Sequence, residues 1–176
     1  ARLGCGGSSG NNSTYLTSPG YPGTFNSATS CKQTITISDK VCQLRLDIND
    51  LDLAPPDTTG TCQNDYLTVS QDNKFDRLCG TTTDNHFYLD VMPSMSRNVE
   101  FDFTTDDTSY NRRWNIKVTQ ICCDQLSMAP SGCGQYYTGT SGTIKGLNFD
   151  GSTATNRYLS GLNYAICVRK EQGQCS

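Results

Sequence analysis

The sequence has little that catalysis or zinc chemistry could use. Histidine occurs once, at His86, and no two cysteines form a C-x-x-C pair. A Ser-His-Asp or Cys-His catalytic site would have to use His86, and a zinc site needs a cluster of ligands that one histidine cannot build. His86 stands at the head of a predicted strand, where histidine is usually structural. The sequence therefore predicts that the protein is not an enzyme.

Long apolar runs and basic clusters are absent as well. No apolar run approaches the ~20 residues that span a bilayer, and no Lys/Arg run is longer than the pair Arg112-Arg113, in a chain of net charge -3. These features predict no membrane insertion and no nucleic-acid partner. The N-terminus carries no basic and apolar signal sequence, so we expect Ala1 to be the first residue of a mature secreted chain.

Cysteine, in contrast, is abundant. The ten cysteines are scattered, with only Cys122 and Cys123 adjacent. This scatter argues against zinc ribbons and thioredoxin-like redox chemistry. It indicates up to five disulfides, formed in an oxidising compartment. We therefore expect a secreted, extracellular protein.

The strands are indicated by a period of two in the apolar residues. Four runs alternate between an apolar and a polar face: Ile35 and Ile37; Leu44, Leu46 and Ile48; Val99, Phe101 and Phe103; Trp114, Ile116 and Val118. Turn clusters rich in Pro, Gly, Asp and Asn separate them, and no amphipathic helix of three turns is found. This pattern predicts an all-β antiparallel sandwich with one buried face on each sheet.

A change of composition follows Ile121, where the Cys122-Cys123 pair begins a second segment. Residues 143–149 and 163–170 are its clearest strand-like stretches, the latter with Tyr164, Ile166 and Val168 on one face. The sequence therefore predicts two units, 1–121 and 122–176.

Residues 5–121 resemble a CUB domain. The resemblance rests on a set of short motifs in order: Cys5-Gly6-Gly7, Ser18-Pro19-Gly20-Tyr21-Pro22, the strand after Cys31, Asn64-Asp65-Tyr66 after Cys62, Leu78-Cys79-Gly80, Phe101-Asp102-Phe103, and the strand led by Trp114. It implies a disulfide-stapled jelly-roll sandwich with Cys5–Cys31 and Cys62–Cys79 bridges. It also implies a domain that binds other proteins.

Cys42 lies outside the four cysteines of that resemblance. It stands at the start of one strand, while Cys122 and Cys123 stand just past the end of the last, so we expect an additional bridge from Cys42 to one of these two. In having this extra cysteine, the chain resembles a group of secreted invertebrate CUB-repeat proteins. Residues 122–176 resemble the opening of a second, partial CUB-like β unit, and the pairing of their cysteines stays open.

Many CUB domains bind calcium through three acidic residues, and two of these positions fall on Asp65 and Asp106. The third falls near Ala54, although Asp52, Asp57 or Asp107 could substitute for it. Because calcium takes several oxygen ligands, commonly with two or three carboxylates, the sequence favours hydrogen-bonded loop carboxylates and no cofactor, with calcium as the alternative.

Two overlapping glycosylation sequons occur at Asn11 and Asn12, in a polar stretch that we expect to be exposed. Crowding favours a single glycan, and Asn12, which has Thr14 at its third position, is the better acceptor.

Two functions are compatible with this reading. The first is a secreted, non-enzymatic module that binds an extracellular protein. The alternative is a self-assembling structural protein, a homopolymer whose filaments form when a neighbouring copy completes the C-terminal β unit. The sequence does not name the partner or the binding surface.

Overall fold

The computed structural model describes residues 1–92, 95–149 and 157–173, which form strands and loops without any helix. These residues accordingly contain no helical segment of the length and apolarity that a bilayer crossing requires. The all-β class predicted from the sequence is confirmed. The strands are β1 (Arg2–Leu3), β2 (Ser8–Ser9), β3 (Ser13–Thr17), β4 (Thr29–Thr36), β5 (Val41–Asp52), β6 (Tyr66–Val69), β7 (Thr81–Thr82), β8 (Asn85–Asp90), β9 (Asn98–Thr105), β10 (Arg113–Cys122), β11 (Cys133–Tyr137) and β12 (Ala165–Val168).

The first sheet has six strands in the order β1-β3-β10-β5, with β7 and β8 both pairing the free edge of β5. All of its pairs are antiparallel except β1 with β3. Along β10 every second side chain is buried, beginning with Trp114, Ile116 and Val118. The apolar face predicted by the alternation is therefore the face of this sheet that packs on the second sheet.

The second sheet has four strands in the order β2-β4-β9-β6. Its centre is the antiparallel pair of β4 and β9, which runs from Thr29 opposite Thr105 to Thr36 opposite Asn98. Its outer face is charged, with Lys32 3.0 Å from Glu100. One face is thus solvated and the other packs on the first sheet, as expected for a sandwich.

Aromatic side chains fill the space between the sheets. The ring of Phe103 stacks on Trp114 with centroids 4.1 Å apart, and Phe25 meets the same indole edge-on at 5.5 Å. The buried indole N–H donates to Gln33 Oε1 at 3.3 Å. Such a pairing removes the cost of burying a polar group within the core.

Beyond β10 the chain folds back across the first sheet. Strands β11 and β12 pair in parallel, and β11 lies beside β8. Leu147 and Leu159, both 5% exposed, belong to the same buried cluster as the sandwich core. Tyr164 meets Phe87 of β8 edge-on, with ring centroids 5.0 Å apart. The described residues of this C-terminal segment, 124–149 and 157–173, therefore share a core with the sandwich.

One prediction for the C-terminal segment is wrong, since residues 143–149 form no strand. The strand predicted within residues 163–170 is present as β12, where the side chains of Ile166 and Val168 are 43% and 61% exposed. Cys167, which alternates with them, is half-buried and forms a disulfide with Cys133 of β11. Because successive side chains of a strand point to opposite faces, Ile166 and Val168 are directed away from that disulfide.

Candidate functional site

Loops from both sheets meet at one end of the sandwich around the side chain of Arg112. Arg112 directly precedes β10, and its backbone exchanges two hydrogen bonds with Phe25, at 2.9 and 3.0 Å. It is in phase with Trp114 and Ile116, whose side chains point into the sandwich. The guanidinium of Arg112 is consequently buried completely, at 0% exposure.

Asp65, which stands one residue before β6, pairs with this guanidinium through both carboxylate oxygens. Nε of Arg112 donates to Oδ2 at 2.7 Å, and Nη2 donates to Oδ1 at 3.0 Å. Asp65 also accepts the backbone N–H groups of Ala54, at 2.8 Å, and Asp106, at 3.3 Å. Bidentate pairs of this kind are among the strongest and most directional in proteins.

The rest of the guanidinium faces oxygens from the neighbouring loops. They are Asp106 Oδ1 at 3.1 Å, Thr108 O at 2.9 Å, Tyr110 O at 3.1 Å and Asn26 Oδ1 at 3.4 Å. We call these four oxygens, together with the two of Asp65, the oxygen cage. Every nitrogen of the guanidinium thereby has an acceptor, which is what the burial of a charge requires.

Hydrogen bonds fix the charge state at the rim of the oxygen cage. The hydroxyl of Thr108 donates to Asp106 Oδ2 at 2.7 Å, and this bond, with the Thr108 N–H and the charge of Arg112, lowers the pKa of Asp106. Tyr110 donates its hydroxyl to Asp52 Oδ1 at 2.7 Å, and burial together with Asp52 raises the pKa of Tyr110 to about 12. At neutral pH Tyr110 thus stays a neutral donor beside the cage.

Four disulfides staple the described part of the chain. They are Cys5–Cys31, Cys42–Cys123, Cys62–Cys79 and Cys133–Cys167. Of the two alternatives for Cys42, the structure therefore places Cys123 beside it. Cys122 is half-buried and forms no disulfide within the described ranges, and Cys175 lies outside them.

Polar contacts attach the C-terminal segment to β5 and β8. The side-chain amide of Gln43 bonds the backbone of Ala129 in both directions, at 2.9 and 3.2 Å. Buried Lys74 donates to Asp90 at 2.9 Å and to the carbonyls of Tyr88 and Cys133 at 2.8 and 3.3 Å. The segment is therefore held by side chains of the sandwich as well as by its own disulfide.

His86 belongs to the same junction. Its Nε2 accepts the backbone N–H of Tyr136 at 3.1 Å, and its ring lies edge-on to Tyr137 with centroids 4.9 Å apart. Burial, with the charge of Arg45, lowers the pKa of His86. The half-buried ring thus joins two elements, in line with a structural histidine.

The outer surface of the C-terminal segment carries an apolar groove of about 410 Å³. Its exposed walls include Ile144 at 50%, Phe149 at 51% and Tyr158 at 94% exposure. Leu147 forms the buried floor, and Arg157 adds a positive charge at the side. Large exposed apolar groups around a concave surface are typical of interaction sites.

Two family models match this chain, and the longer match decides its family. The CUB domain model covers residues 5–118. The chain belongs to the CUB domain family. The Animal CUB domain model matches residues 130–176. CUB domains are typically extracellular modules that bind proteins, and the family is generally non-enzymatic.

Cubilin of Sus scrofa is similar to most of this CUB chain. It is 29% identical over 167 residues, which cover 90% of the chain and 4% of cubilin. The chain therefore spans a small part of that relative's length.

Several solved CUB structures have a similar fold. The MASP-1 CUB2 domain bound to Ca2+ has a TM-score of 0.52 at 20% identity, over 65% of this chain and 98% of that one. The CUB1-EGF-CUB2 region of human MASP-1/3 has a TM-score of 0.53 at 20% identity, over 65% and 41%. The full extracellular region of zebrafish Gpr126/Adgrg6 has a TM-score of 0.51 at 21% identity, over 65% and 14%. At these identities the likeness concerns the fold.

The residues of this CUB domain do not fit a calcium ion as they are arranged. Asp65 and Asp106, the two candidate calcium ligands, are brought together by the fold, but both bind Arg112. At the third position Ala54 has no carboxylate and donates its backbone N–H to Asp65. A cation already occupies the space between the carboxylates.

The other acidic candidates take no part in the oxygen cage. Asp52 accepts the Tyr110 hydroxyl, and Asp107 is exposed. Asp57 caps its own loop, where Thr59, Thr61 and Gln63 donate to it. These hydrogen bonds, led by the Thr59 hydroxyl, lower the pKa of Asp57 to about 2. Hydrogen bonds therefore occupy Asp57, as the sequence favours.

Sequence reasoning missed Arg112, although a signal was present. Extending the alternation of β10 backwards by one step from Trp114 places Arg112 on the buried face, whereas Arg113 falls on the polar face and pairs with Asp50 at 2.8 Å. An arginine at a position that the strand alternation buries needs acidic partners nearby. The motif acids Asp65 and Asp106 were the available ones.

Asn11 and Asn12 lie in the exposed loop between β2 and β3. Gln120 holds the backbone of this loop, donating its side-chain amide to the carbonyl of Asn11 at 3.1 Å and its N–H to that of Asn12 at 2.8 Å. The two side chains are left on the surface, so glycosylation there stays a prediction.

Proposed function

We propose that this chain is a secreted CUB module that binds an extracellular protein through the apolar groove of its C-terminal segment. The observation that carries the proposal is the cluster of exposed Ile144, Phe149 and Tyr158 around a concave surface. A few buried anchor residues, enriched in aromatic side chains such as Tyr, supply most of the binding energy in protein interfaces. Leu147 and Asn148 anchor one wall of the groove to the sandwich.

The proposal is supported by the compartment that the disulfides imply. Four disulfides in this chain are expected only where the environment is oxidising. A partner would therefore be another extracellular protein. No role in catalysis is proposed for His86, because its ring nitrogen is engaged by the backbone of Tyr136.

A capture experiment with matched variants tests the proposal. Biotinylated chain is used to capture proteins from the extracellular fluid of the source organism, alongside the double variant Ile144→Ser/Tyr158→Ser. The control is Leu126→Ser, which removes an apolar side chain that is fully exposed, at 103%, outside the groove. We expect one extracellular protein to bind the wild type and the control, and to be lost from the groove variant.

Two results would contradict the proposal. A partner that binds all three proteins equally would move the binding surface away from the groove. Failure of the wild type to bind any extracellular protein at micromolar concentration would remove the binding function itself. Circular dichroism of each variant verifies that the sandwich is intact.

The filament hypothesis stays a second candidate, and strand β12 is the observation that favours it. Within the described residues β12 pairs only with β11, and its Ile166 and Val168 are exposed. A strand with an unpaired edge and exposed apolar side chains can pair with a strand of another copy. On this hypothesis residues 122–176, the proposed partial second CUB-like unit, are completed by a neighbouring chain.

Electron microscopy and light scattering of the secreted protein separate the two candidates. Filaments in the wild type that are abolished by Ile166→Lys/Val168→Lys would establish assembly through β12. Discrete monomers at all concentrations would reject it, and would leave the binding module as the proposed function.

A further inference from the structure

The oxygen cage contains the type of ligand set that calcium prefers. It consists of three carboxylate oxygens from Asp65 and Asp106, two backbone carbonyls, and the side-chain carbonyl of Asn26. Calcium binds about 6–8 oxygens of these classes at about 2.3–2.6 Å. In this chain the same oxygens surround the guanidinium of Arg112.

We propose that the guanidinium of Arg112 takes the place of calcium in this CUB domain and closes the oxygen cage as a built-in cation. The proposal does not depend on the apolar groove or on any partner. It predicts that the loops carrying Asp65, Asp106 and Tyr110 hold their arrangement at any calcium concentration.

Three contacts support the replacement. Asp65 gives both oxygens to Arg112, at 2.7 and 3.0 Å, so neither remains for a metal. Asp106 gives the same Nη2 its Oδ1 at 3.1 Å and keeps Oδ2 for the Thr108 hydroxyl. The side chain of Arg112 has no exposed surface. A calcium ion would have to displace the guanidinium and stand beside its positive charge.

The backbone makes this replacement permanent. The backbone of Arg112 is fixed by its pair of hydrogen bonds with Phe25 and by the start of strand β10. Its position on the buried face follows from the alternation that also buries Trp114. A covalently attached cation does not dissociate, whereas stabilisation by a free ion falls as the ion's concentration falls. The cage is thus expected to be independent of extracellular calcium.

Thermal unfolding of the wild-type chain is the first measurement. We expect the same melting temperature in EGTA and in millimolar calcium chloride, after correction for ionic strength. We also expect no terbium luminescence sensitised by Tyr110, which lies at the cage. A melting temperature that rises with calcium, or terbium emission that Asp65→Asn removes, would overturn the proposal.

The second measurement asks whether the cage accepts calcium when the guanidinium is removed. Arg112→Ala leaves Asp65 buried without a counter-ion, so we expect the melting temperature in EGTA to fall by on the order of 10 °C. Millimolar calcium should restore part of this loss, and magnesium should restore less because it requires a smaller, octahedral site. Adding Asp65→Asn to the variant should abolish the rescue.

Arg113→Ala is the matched control, since Arg113 is adjacent in sequence but pairs with Asp50 at the surface. We expect it to melt close to the wild type and to ignore calcium. If Arg112→Ala folds and calcium leaves its melting temperature unchanged, Arg112 is not a substitute for calcium and the proposal fails. If Arg112→Ala does not fold, the terbium and melting measurements on the wild type still decide.

Discussion

At the scale of single residues, His86 connects the first sheet to the C-terminal segment through one ring nitrogen. The ring is half-buried, and its Nε2 accepts the N–H of Tyr136 at 3.1 Å. The titratable groups around it are Arg45 and Asp47 on β5, Tyr88 on β8 and Tyr137 on β11. Burial and Arg45, which lower the pKa of His86, outweigh the hydrogen bond with the Tyr136 backbone and the charge of Asp47, which raise it, so the pKa lies below its ordinary value of 6.5.

This shift predicts a pH dependence of stability. Because the folded pKa of His86 is lowered, the unfolded chain binds the proton more tightly. The contribution of His86 is complete above the unfolded pKa of 6.5 and is lost as the pH falls from there through the folded pKa. We therefore expect urea denaturation to give a smaller free energy of unfolding at roughly pH 5 than at pH 7.

The control for this dependence is His86→Asn, which removes the chain's only histidine. The variant should lose the part of the pH dependence that lies just below neutrality. A variant whose free energy of unfolding changes with pH as steeply as the wild type would contradict the assignment to His86.

The residues of the oxygen cage show how far the sequence could lead. The resemblance to CUB domains predicted Asp65 and Asp106 as a pair of ligands, and the fold brings them to the same guanidinium. That Arg112 is the cation between these two carboxylates could not be predicted in the same way. It depends on whether Arg112 lies on the buried or the polar face when the alternation of β10 is extended to it. That position was visible in the alternation, but its consequence depended on which loops meet at the end of the sandwich.

At the scale of elements, the strands with a strong period of two were predictable. Strands β4, β5, β9 and β10 bury one face and solvate the other. Residues 143–149, predicted as a strand, form none because side chains hold their backbone. Asn85 and Gln135 donate to the carbonyl of Lys145, and the N–H of Asn148 donates to the Thr82 hydroxyl. No local periodicity records such contacts.

Gly80 provides a test of how tightly this segment is docked. It has a φ of +79°, and an added Cβ would meet the side chain of Asn148. That side chain accepts the N–H of Thr81 at 3.0 Å and donates to the carbonyl of Arg157 at 3.0 Å. We expect Gly80→Ala to lower the free energy of unfolding by roughly 2–5 kcal/mol, combining backbone strain with the clash.

Gly132→Ala is the matched control, since Gly132 has a φ of +85° with open space around its Cβ. It should cost roughly 1–2 kcal/mol, from backbone strain alone. Chemical denaturation measures both values. Equal losses for the two variants would mean that the docked Asn148 moves away freely, and that the segment is held loosely at this point.

At the scale of the whole molecule, one disulfide and the shared core connect the proposed units 1–121 and 122–176. Among the four disulfides of the described residues, Cys42–Cys123 closes the longest loop, with a sequence separation of 81. A loop of this length is expected to contribute about 4 kcal/mol through the entropy of the unfolded chain. The sequence predicted that Cys42 pairs near the end of β10, but which of the two adjacent cysteines it meets depends on the shift of register between Ile121 and Cys122, which no local pattern records.

The exposed loop between β2 and β3 gives a prediction for the secreted protein as a whole. Expressed in a eukaryotic secretory pathway, the chain should carry one N-linked glycan on Asn12, whose side chain is exposed beside its neighbour Asn11. Intact mass before and after glycosidase treatment measures it. Asn12→Gln should remove the glycan, while Asn11→Gln should retain it. A chain secreted without any glycan would show the prediction wrong.

The shared core also has a consequence for the order in which the protein is made. Leu147 and Leu159 fill the same core as Trp114 and Phe103, although they follow the last sandwich strand in the chain. Chains are synthesised from the N-terminus, and domains generally fold as they emerge. The sandwich therefore cannot finish packing when its own strands have left the ribosome. Part of its core stays uncovered until the ribosome has added the residues of the C-terminal segment.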